Sequence, residues 1–246
     1  MIKNERKKGR TMDIRDEIVR TDKKMVVPLY PGEFGWELMT WIPWLRKQSR
    51  DYNRVVVKCR PSMRYLYDDF ATKILTGPEG SRGLDYPKMY RVDGEYRNYG
   101  RNPRTEYDLV IHARGISRKS SINYRRWPDV LASLGGGFNV CTVGSRSDQA
   151  IPGVTDERGV DMRELCSILG GAGVLVGVSS GVMHLGALCG APMIVWGDNR
   201  TYFGETLETR YEQTWNPFDV PVVWIEDNQW QPDPRRVATE IERALL

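Results

Sequence analysis

The chain has 246 residues, with 36 Lys/Arg against 32 Asp/Glu for a formal charge of +4, and ordinary apolar and charged fractions of 40% and 28%. That length suits one large domain or two modest ones with ample core, and no apolar run approaches the roughly 18 residues of a membrane-spanning helix. The first residues lack the apolar centre of a signal peptide. The four cysteines (Cys59, Cys141, Cys166, Cys189) have no metal-ligand spacing and sit in apolar contexts, which predicts buried free thiols in a reducing, cytoplasmic setting and no metal site.

Residues 1–24 form a basic leader with 9 Lys/Arg and 5 Asp/Glu, so of the totals of 36 and 32 the rest of the chain keeps 27 of each. A solvated, partly helical extension is the expectation. Contact with nucleic acid or an anionic membrane is the sharper alternative, though no aromatic interleaving or hydrophobic face accompanies the charge. A reduced first domain over 25–105 opens with a strand at 25–30 (MVVPLY), a glycine-rich turn through Gly32, Glu33 and Gly35, and a helix over 36–48 kinked by Pro43. A strand at 54–58 (RVVVK) and a helix over 62–75 complete a β-α-β-α opening. Residues 77–105, rich in Gly, Pro, Tyr and Arg, read as a long connection with at most one short strand and as a domain boundary.

From residue 106 onward the alternation resumes. Strands are expected at 107–113 (YDLVIHA), 138–143, 174–178, 193–196 and 220–225, with helices from Pro128, over 161–169 and over 234–246. Asp161 with Glu164 has the form of a capping box, and Gly170-Gly171 is the expected end of that helix. Alternating strands and helices predict an α/β fold with parallel sheets covered on both faces, with ligands beyond the carboxyl ends of strands. The loops there begin at Gly32, Arg114, Ser145, Ser179 and Gly197.

The most informative stretch is 174–197, VLVGVSSGVMHLGALCGAPMIVWG. A buried strand feeds a short helix through Ser179-Ser180-Gly181, which aims several N–H groups and two hydroxyls at one spot, a phosphate-sized anion site. His184, one of two histidines, follows on the same helix face as Ser180. Its place in the first helical turn disfavours imidazolium, so its reading is a neutral hydrogen-bond donor or a core histidine packing helix onto sheet. There is no P-loop, no GxGxxG after a strand, no HExxH, no Cys/His cluster, and no hydrolase triad suggests itself.

These residues match a family. IHARG (111–115), SRK (117–119), RRWP (125–128), VGSRSD (143–148), DMRELCSIL (161–169) and SSGVMHLGALCGAPMIVWG (179–197) follow one another in the order and spacing of the carboxy-terminal domain of the heptosyltransferase-like glycosyltransferases of lipopolysaccharide synthesis. The chain resembles that family over 107–246 and more loosely over 25–48, where Glu37 stands six before Pro43 as an acidic residue does in the family. The resemblance implies the GT-B fold, two Rossmann-like parallel-sheet domains closing over a nucleotide-sugar. The first is shortened, and the second (106–246) is the donor domain.

The resemblance also implies a metal-independent, inverting transfer of a sugar to a glycan, lipid-linked or other hydroxyl acceptor, with no cofactor beyond the nucleotide-sugar substrate. It sets the donor diphosphate on Ser179, Ser180 and Gly181, with His184 adding a donor. A cation at Arg118 or Lys119, or else Arg114 nearer the strand end, faces the diphosphate. Gly144 lies in the donor-side loop, and Asp198 or Asp148 is available for a ribose or sugar hydroxyl unless either is a cap or turn residue. Trp127 and Pro128 are read as packing and helix start. The acceptor's base is Glu37, or Glu33 in the turn itself, unless both only complement a helix dipole. One departure stands out: the family carries Asp where this chain has Ser179. Two other functions compete, a non-catalytic nucleotide or nucleotide-sugar binding protein of the same fold and, less favoured, a nucleotide-sugar epimerase, whose two glutamates the SSGVMH string lacks.

Overall fold

A computed structural model describes residues 13–78, 92–115, 123–201 and 204–246. The chain divides between Val92 and Asp93 into two units, each on its own sheet.

In the first unit the strands β1 (Val19–Thr21), β2 (Lys24–Val27), β3 (Arg54–Cys59) and β4 (Lys73–Thr76) lie side by side in that order. β1 runs antiparallel to β2, and the other pairs are parallel. Part of the basic leader is thus built into the sheet: Ile14 and Ile18 are buried around a 3-10 turn at Ile14–Glu17, and β1 pairs with β2. Residues 1–12 lie outside the described residues. β2 ends sooner than expected, before Pro28, which has no N–H to continue a ladder.

The expected helix over 36–48 is present with a different interruption. A turn of α-helix, α1 (Phe34–Trp36), runs into a π-helical turn at Glu37–Trp41 and then into α2 (Ile42–Ser49). Within it the Ile42 N–H bonds the Glu37 carbonyl, five residues back. A proline ring at 43 would collide with the carbonyl of residue 39 in a regular α-helix, and the wider turn just before it relieves that conflict.

The expected helix over 62–75 is replaced by a 3-10 segment, Pro61–Tyr67, and by β4. Thr72 explains the change. Its N–H and hydroxyl both bond the Val55 carbonyl (2.9 Å each), and its oxygen accepts the Val55 N–H (3.0 Å), so the chain is clamped to β3 and leaves as a strand.

The second unit is a six-stranded parallel sheet of β5 (Leu109–His112), β6 (Val140–Thr142), β7 (Thr155–Asp156), β8 (Val174–Val178), β9 (Met193–Gly197) and β10 (Val222–Glu226), in the order β10-β9-β8-β5-β6-β7. Its helices are α3 (Trp127–Ser133), α4 (Met162–Gly171), α5 (Gly181–Cys189), α6 (Leu207–Thr209), which continues as a π turn at Arg210–Thr214, and α7 (Pro234–Leu245). Strand alternation divides the core. Val174, Val176 and Val178 join Val130, Trp127, Val237 and Ile241 on one face, while Leu175 and Gly177 meet α5 on the other. α4 starts as its sequence predicts, with the Asp161 carboxylate accepting the Glu164 N–H at 2.9 Å, but it runs through Gly170 and Gly171.

Residues 93–105, expected to connect domains, belong to the second unit. Tyr99 N–H bonds the Leu188 carbonyl (2.8 Å) and Arg104 N–H the Ser167 carbonyl (3.0 Å). Gly100 and Gly170 make this docking feasible: a β-carbon on Gly100 would lie 2.0 Å from the Cys189 oxygen, and one on Gly170 would lie 2.6 Å from the Gly100 α-carbon. Residues 92–105 contain no strand, and 79–91 lie outside the described residues.

Candidate functional site

The sheet order of the second unit reverses between β5 and β8: one crossover series runs outward through β6 and β7, the other through β9 and β10. At such a switch point the loops leaving the two strands part, and a crevice opens beyond their carboxyl ends. β5 delivers His112, Ala113 and Arg114 there, and β8 delivers Ser179, Ser180 and the start of α5.

Ser180 occupies the N-cap position of α5 with extended backbone (φ −162°, ψ 171°), yet its side chain makes no capping bond. Its Oγ lies 2.9 Å from His112 Nδ1 instead. The other ring nitrogen, Nε2, is 3.7 Å from Asp148 Oδ2. With the carboxylate beside Nε2, the proton belongs there, and Nδ1 accepts the Ser180 hydroxyl.

Asp148 is itself anchored. Oδ1 accepts the Gly115 N–H (2.7 Å), and Oδ2 accepts the Ser145 N–H and hydroxyl (2.7 and 2.9 Å). Burial pushes its pKa up, but the His112 imidazole and these N–H groups outweigh burial and hold it below the ordinary carboxylate value. Gly144 leaves the room this needs. It sits at φ +129°, and a β-carbon there would lie 2.5 Å from Asp148 Oδ2 and 3.1 Å from His112 Cδ2.

Tyr211, from the π turn after α6, closes the other side. Its hydroxyl accepts the Ser180 N–H (3.2 Å) and donates to Ser179 Oγ (3.1 Å). Burial raises its pKa, so it stays protonated. Arg114 reaches across to donate to the Ser179 carbonyl (3.3 Å) and to Asn123 Oδ1 (3.2 Å), which sets a guanidinium at the same turn. Cation, serine turn and helix N-terminus together form a surface suited to a phosphate-sized anion.

The other sequence candidates distribute as follows. Arg118 and Lys119 lie outside the described residues. Asp198 is buried beyond β9 and ion-paired with Arg200. Trp127 is buried edge-on to Tyr124 (centroids 5.1 Å apart), and Pro128 starts α3.

His184 is 8% exposed, stacked on Tyr211 (centroids 5.0 Å, 21°) and edge-on to Trp215 (4.6 Å, 72°), and its Nδ1 has no hydrogen-bond partner among the described residues. Burial, reinforced by the Arg210 charge, lowers its pKa to about 3, so the ring is neutral. Because the folded value lies below the ordinary imidazole value of 6.5, His184 contributes fully to stability above that pH, and the contribution is lost as pH falls toward about 3. The loss amounts to about 1.4 kcal/mol per pH unit within the window. Phenylalanine at 184 keeps the ring contacts without the titration. Denaturant unfolding followed from about pH 7 to pH 4 is expected to show a flatter acid limb for His184→Phe, and parallel limbs would contradict the assignment.

In the first unit Glu37 is 1% exposed at the start of the π turn. One carboxylate oxygen accepts the Tyr67 hydroxyl (2.6 Å), and the other pairs with the Arg60 guanidinium. Glu33 is half-buried at the N-cap of α1, makes no side-chain capping bond, and its carbonyl accepts the Glu37 N–H (3.0 Å).

Sequence reasoning missed His112 and Tyr211 as site residues. A signal for His112 existed, since a histidine at the end of a buried strand faces the ligand end of a parallel sheet. Nothing local marked Tyr211. All four cysteines are free and buried, and burial raises the Cys141 thiol to about 12. Among the described residues there is no cluster of metal-ligating side chains and no helix long and apolar enough to cross a membrane.

No protein-family model matches the chain, and no curated protein does. Solved structures do. The glycosyl transferase family 9 protein of Veillonella parvula aligns over 92% of this chain and 98% of its own, with a TM-score of 0.61 at 11% identity. The E. coli ADP-heptose lps heptosyltransferase II aligns over 89% of this chain and 98% of its own, with a TM-score of 0.56 at 10% identity. TibC of enterotoxigenic E. coli, a dodecameric iron-containing heptosyltransferase solved with ADP-D-beta-D-heptose, aligns over 92% of this chain and 76% of its own, with a TM-score of 0.56 at 14% identity. Identities this low speak for fold alone, and the fold is that of the heptosyltransferase-like glycosyltransferases: two α/β units of GT-B type, here with a four-stranded first sheet.

Proposed function

We propose that the protein is a glycosyltransferase that takes a nucleotide-sugar donor and passes its sugar to a hydroxyl acceptor. The observation that carries this reading is the set of groups at the β5/β8 switch point: an uncapped helix N-terminus, the Ser179–Gly181 turn and the Arg114 guanidinium. N–H groups of the first turn of α5 and Arg114 hold the diphosphate and stabilise the charge that grows on it as the sugar leaves. By the resemblance, Arg118 or Lys119 is a further candidate cation for the diphosphate. These groups serve in place of a metal, so transfer is expected to persist in excess chelator. Neutral His184 contributes a hydrogen bond and no proton, because a ring with a pKa near 3 is not a general acid at neutral pH. The four buried free thiols favour a cytoplasmic site of action.

On the acceptor side Glu33 is the better base. Glu37 is 1% exposed with both oxygens engaged by Tyr67 and Arg60, whereas Glu33 is half-buried in the turn before α1 and closer to solvent. In this reading the base takes the acceptor's proton as its oxygen attacks the anomeric carbon opposite the departing nucleoside diphosphate, and one such displacement, forming the new C–O bond as the old one breaks, inverts that carbon.

The test is turnover of a panel of nucleotide-sugars by the wild type, Arg114→Leu and Glu33→Gln. Transfer is expected for at least one donor, unaffected by chelator. Arg114→Leu is expected to lose roughly 10²–10³ in kcat, and Glu33→Gln roughly 10²–10⁴. A panel with no donor turned over would refute catalysis. The occupied Glu37 carboxylate and the serine at 179 support a second reading, a nucleotide-sugar binding protein without transfer. Saturable donor binding with no product would establish that reading.

A further inference from the structure

The Asp148–His112 pair behind Ser180 is not used by the function just proposed, and it holds the Ser180 hydroxyl in an unusual place. Serine is among the residues that best cap a helix, and a capping serine contributes about 0.5–2 kcal/mol. Ser180 stands at the N-cap of α5, yet its hydroxyl is turned 2.9 Å toward His112 Nδ1 and caps nothing. His112 is 3% exposed, and its far nitrogen faces an Asp148 carboxylate fixed by Gly115 and Ser145. This imidazole has little freedom to release the hydroxyl.

A second observation at the same turn points to a ligand. His184 is more than nine-tenths buried with Nδ1 unpartnered among the described residues. Helical side chains lean toward the helix N-terminus, which sets this ring over the first turn of α5, stacked on the tyrosine that bonds the Ser180 N–H. The first turn therefore carries N–H donors that Ser180 does not cap and a buried ring nitrogen without a partner.

We propose that His112, oriented by Asp148, is a positioning residue that holds the Ser180 hydroxyl off the first turn of α5 and so keeps that turn's N–H groups open to a phosphate group. The inference rests on the reading of this turn as the donor-diphosphate site. Ser180 and the ligand compete for the same donors, and His112 decides the competition in the ligand's favour.

The experiment is a mutant cycle read in two ways. Affinity for ADP, UDP and inorganic pyrophosphate is measured by calorimetry, and amide hydrogen exchange at Val182 and Met183 by NMR without ligand. His112→Leu frees Ser180 to cap, so it is expected to bind roughly five- to tenfold more weakly and to slow exchange at those two amides. His112→Asn, which keeps an acceptor near the Nδ1 position, is expected to bind within about twofold of wild type. The decisive variant is the double mutant His112→Leu with Ser180→Ala. Alanine cannot cap, so exchange at the two amides is expected to return to the wild-type rate, and binding to be tighter than in His112→Leu.

A double mutant no better than His112→Leu, with exchange unaltered by either change, would overturn the inference. If pyrophosphate binds and follows the cycle while ADP and UDP do not bind, the inference stands and the nucleotide-sugar reading fails. If no phosphate compound binds the wild type, both fall.

Discussion

Alanine in place of Glu37 is expected to destabilise the first unit by about 3–5 kcal/mol, a large part of the stability of a domain this size. The carboxylate is 1% exposed, and its removal leaves the Arg60 guanidinium buried without its counter-charge and the Tyr67 hydroxyl without its acceptor. Arg60→Ala is expected to cost a similar amount for the mirror reason. The double variant is expected to cost less than the two singles together, by about 0.5–3 kcal/mol, because the second change removes a charge already stranded. Urea unfolding of the three variants measures all of this. A cost under about 1 kcal/mol for Glu37→Ala would mean that the pair is solvated, and a variant of normal stability without activity would return Glu37 to the role of base.

Gly144→Ala is expected to weaken ligand binding strongly through the addition of a single methyl group. The backbone there sits at φ +129°, and the added carbon would meet Asp148 Oδ2 at 2.5 Å and His112 Cδ2 at 3.1 Å. Strain of about 1–3 kcal/mol is expected from the backbone alone. Moving the carboxylate also loosens the imidazole that holds Ser180, so phosphate affinity is expected to fall roughly tenfold or more. Calorimetry beside a thermal melt separates the two effects, and wild-type affinity in a folded Gly144→Ala protein would show that Asp148 need not be fixed for binding.

Much of the second unit was legible because local and tertiary signals agree there. The apolar runs read as buried strands at 174–178 and 193–196 are strands, the second one residue longer, Asp161 caps α4 as its spacing demands, and the serine-glycine turn lies between β8 and α5 where the pattern sets it. The site was half legible. Arg114 reaches the Ser179 carbonyl, but the histidine on Ser180 is His112, 68 residues away, and only the sheet order that makes β5 and β8 neighbours joins them. Tyr211 comes from a π turn with no periodicity to announce it. Glu37 looks like a helix-start carboxylate because the partners that bury it, Arg60 and Tyr67, follow 23 and 30 residues later. The segment 62–75 misled because a threonine clamp, and no helical period, decides its course.

The π turn at Glu37–Trp41 bears on how this chain is compared with others. Each hydrogen bond closing on the fifth residue back spends one more residue per turn than an α-helix does. Past the turn, side chains are therefore out of phase with an unbroken helix by about one residue, roughly 100° around the axis. The six-residue interval from Glu37 to Pro43, identical on paper to that of a regular helix, spans a different rotation here. An alignment against relatives with an unbroken first helix needs a one-residue gap inside this turn, and without it the acidic residues are equated by count while they point in different directions.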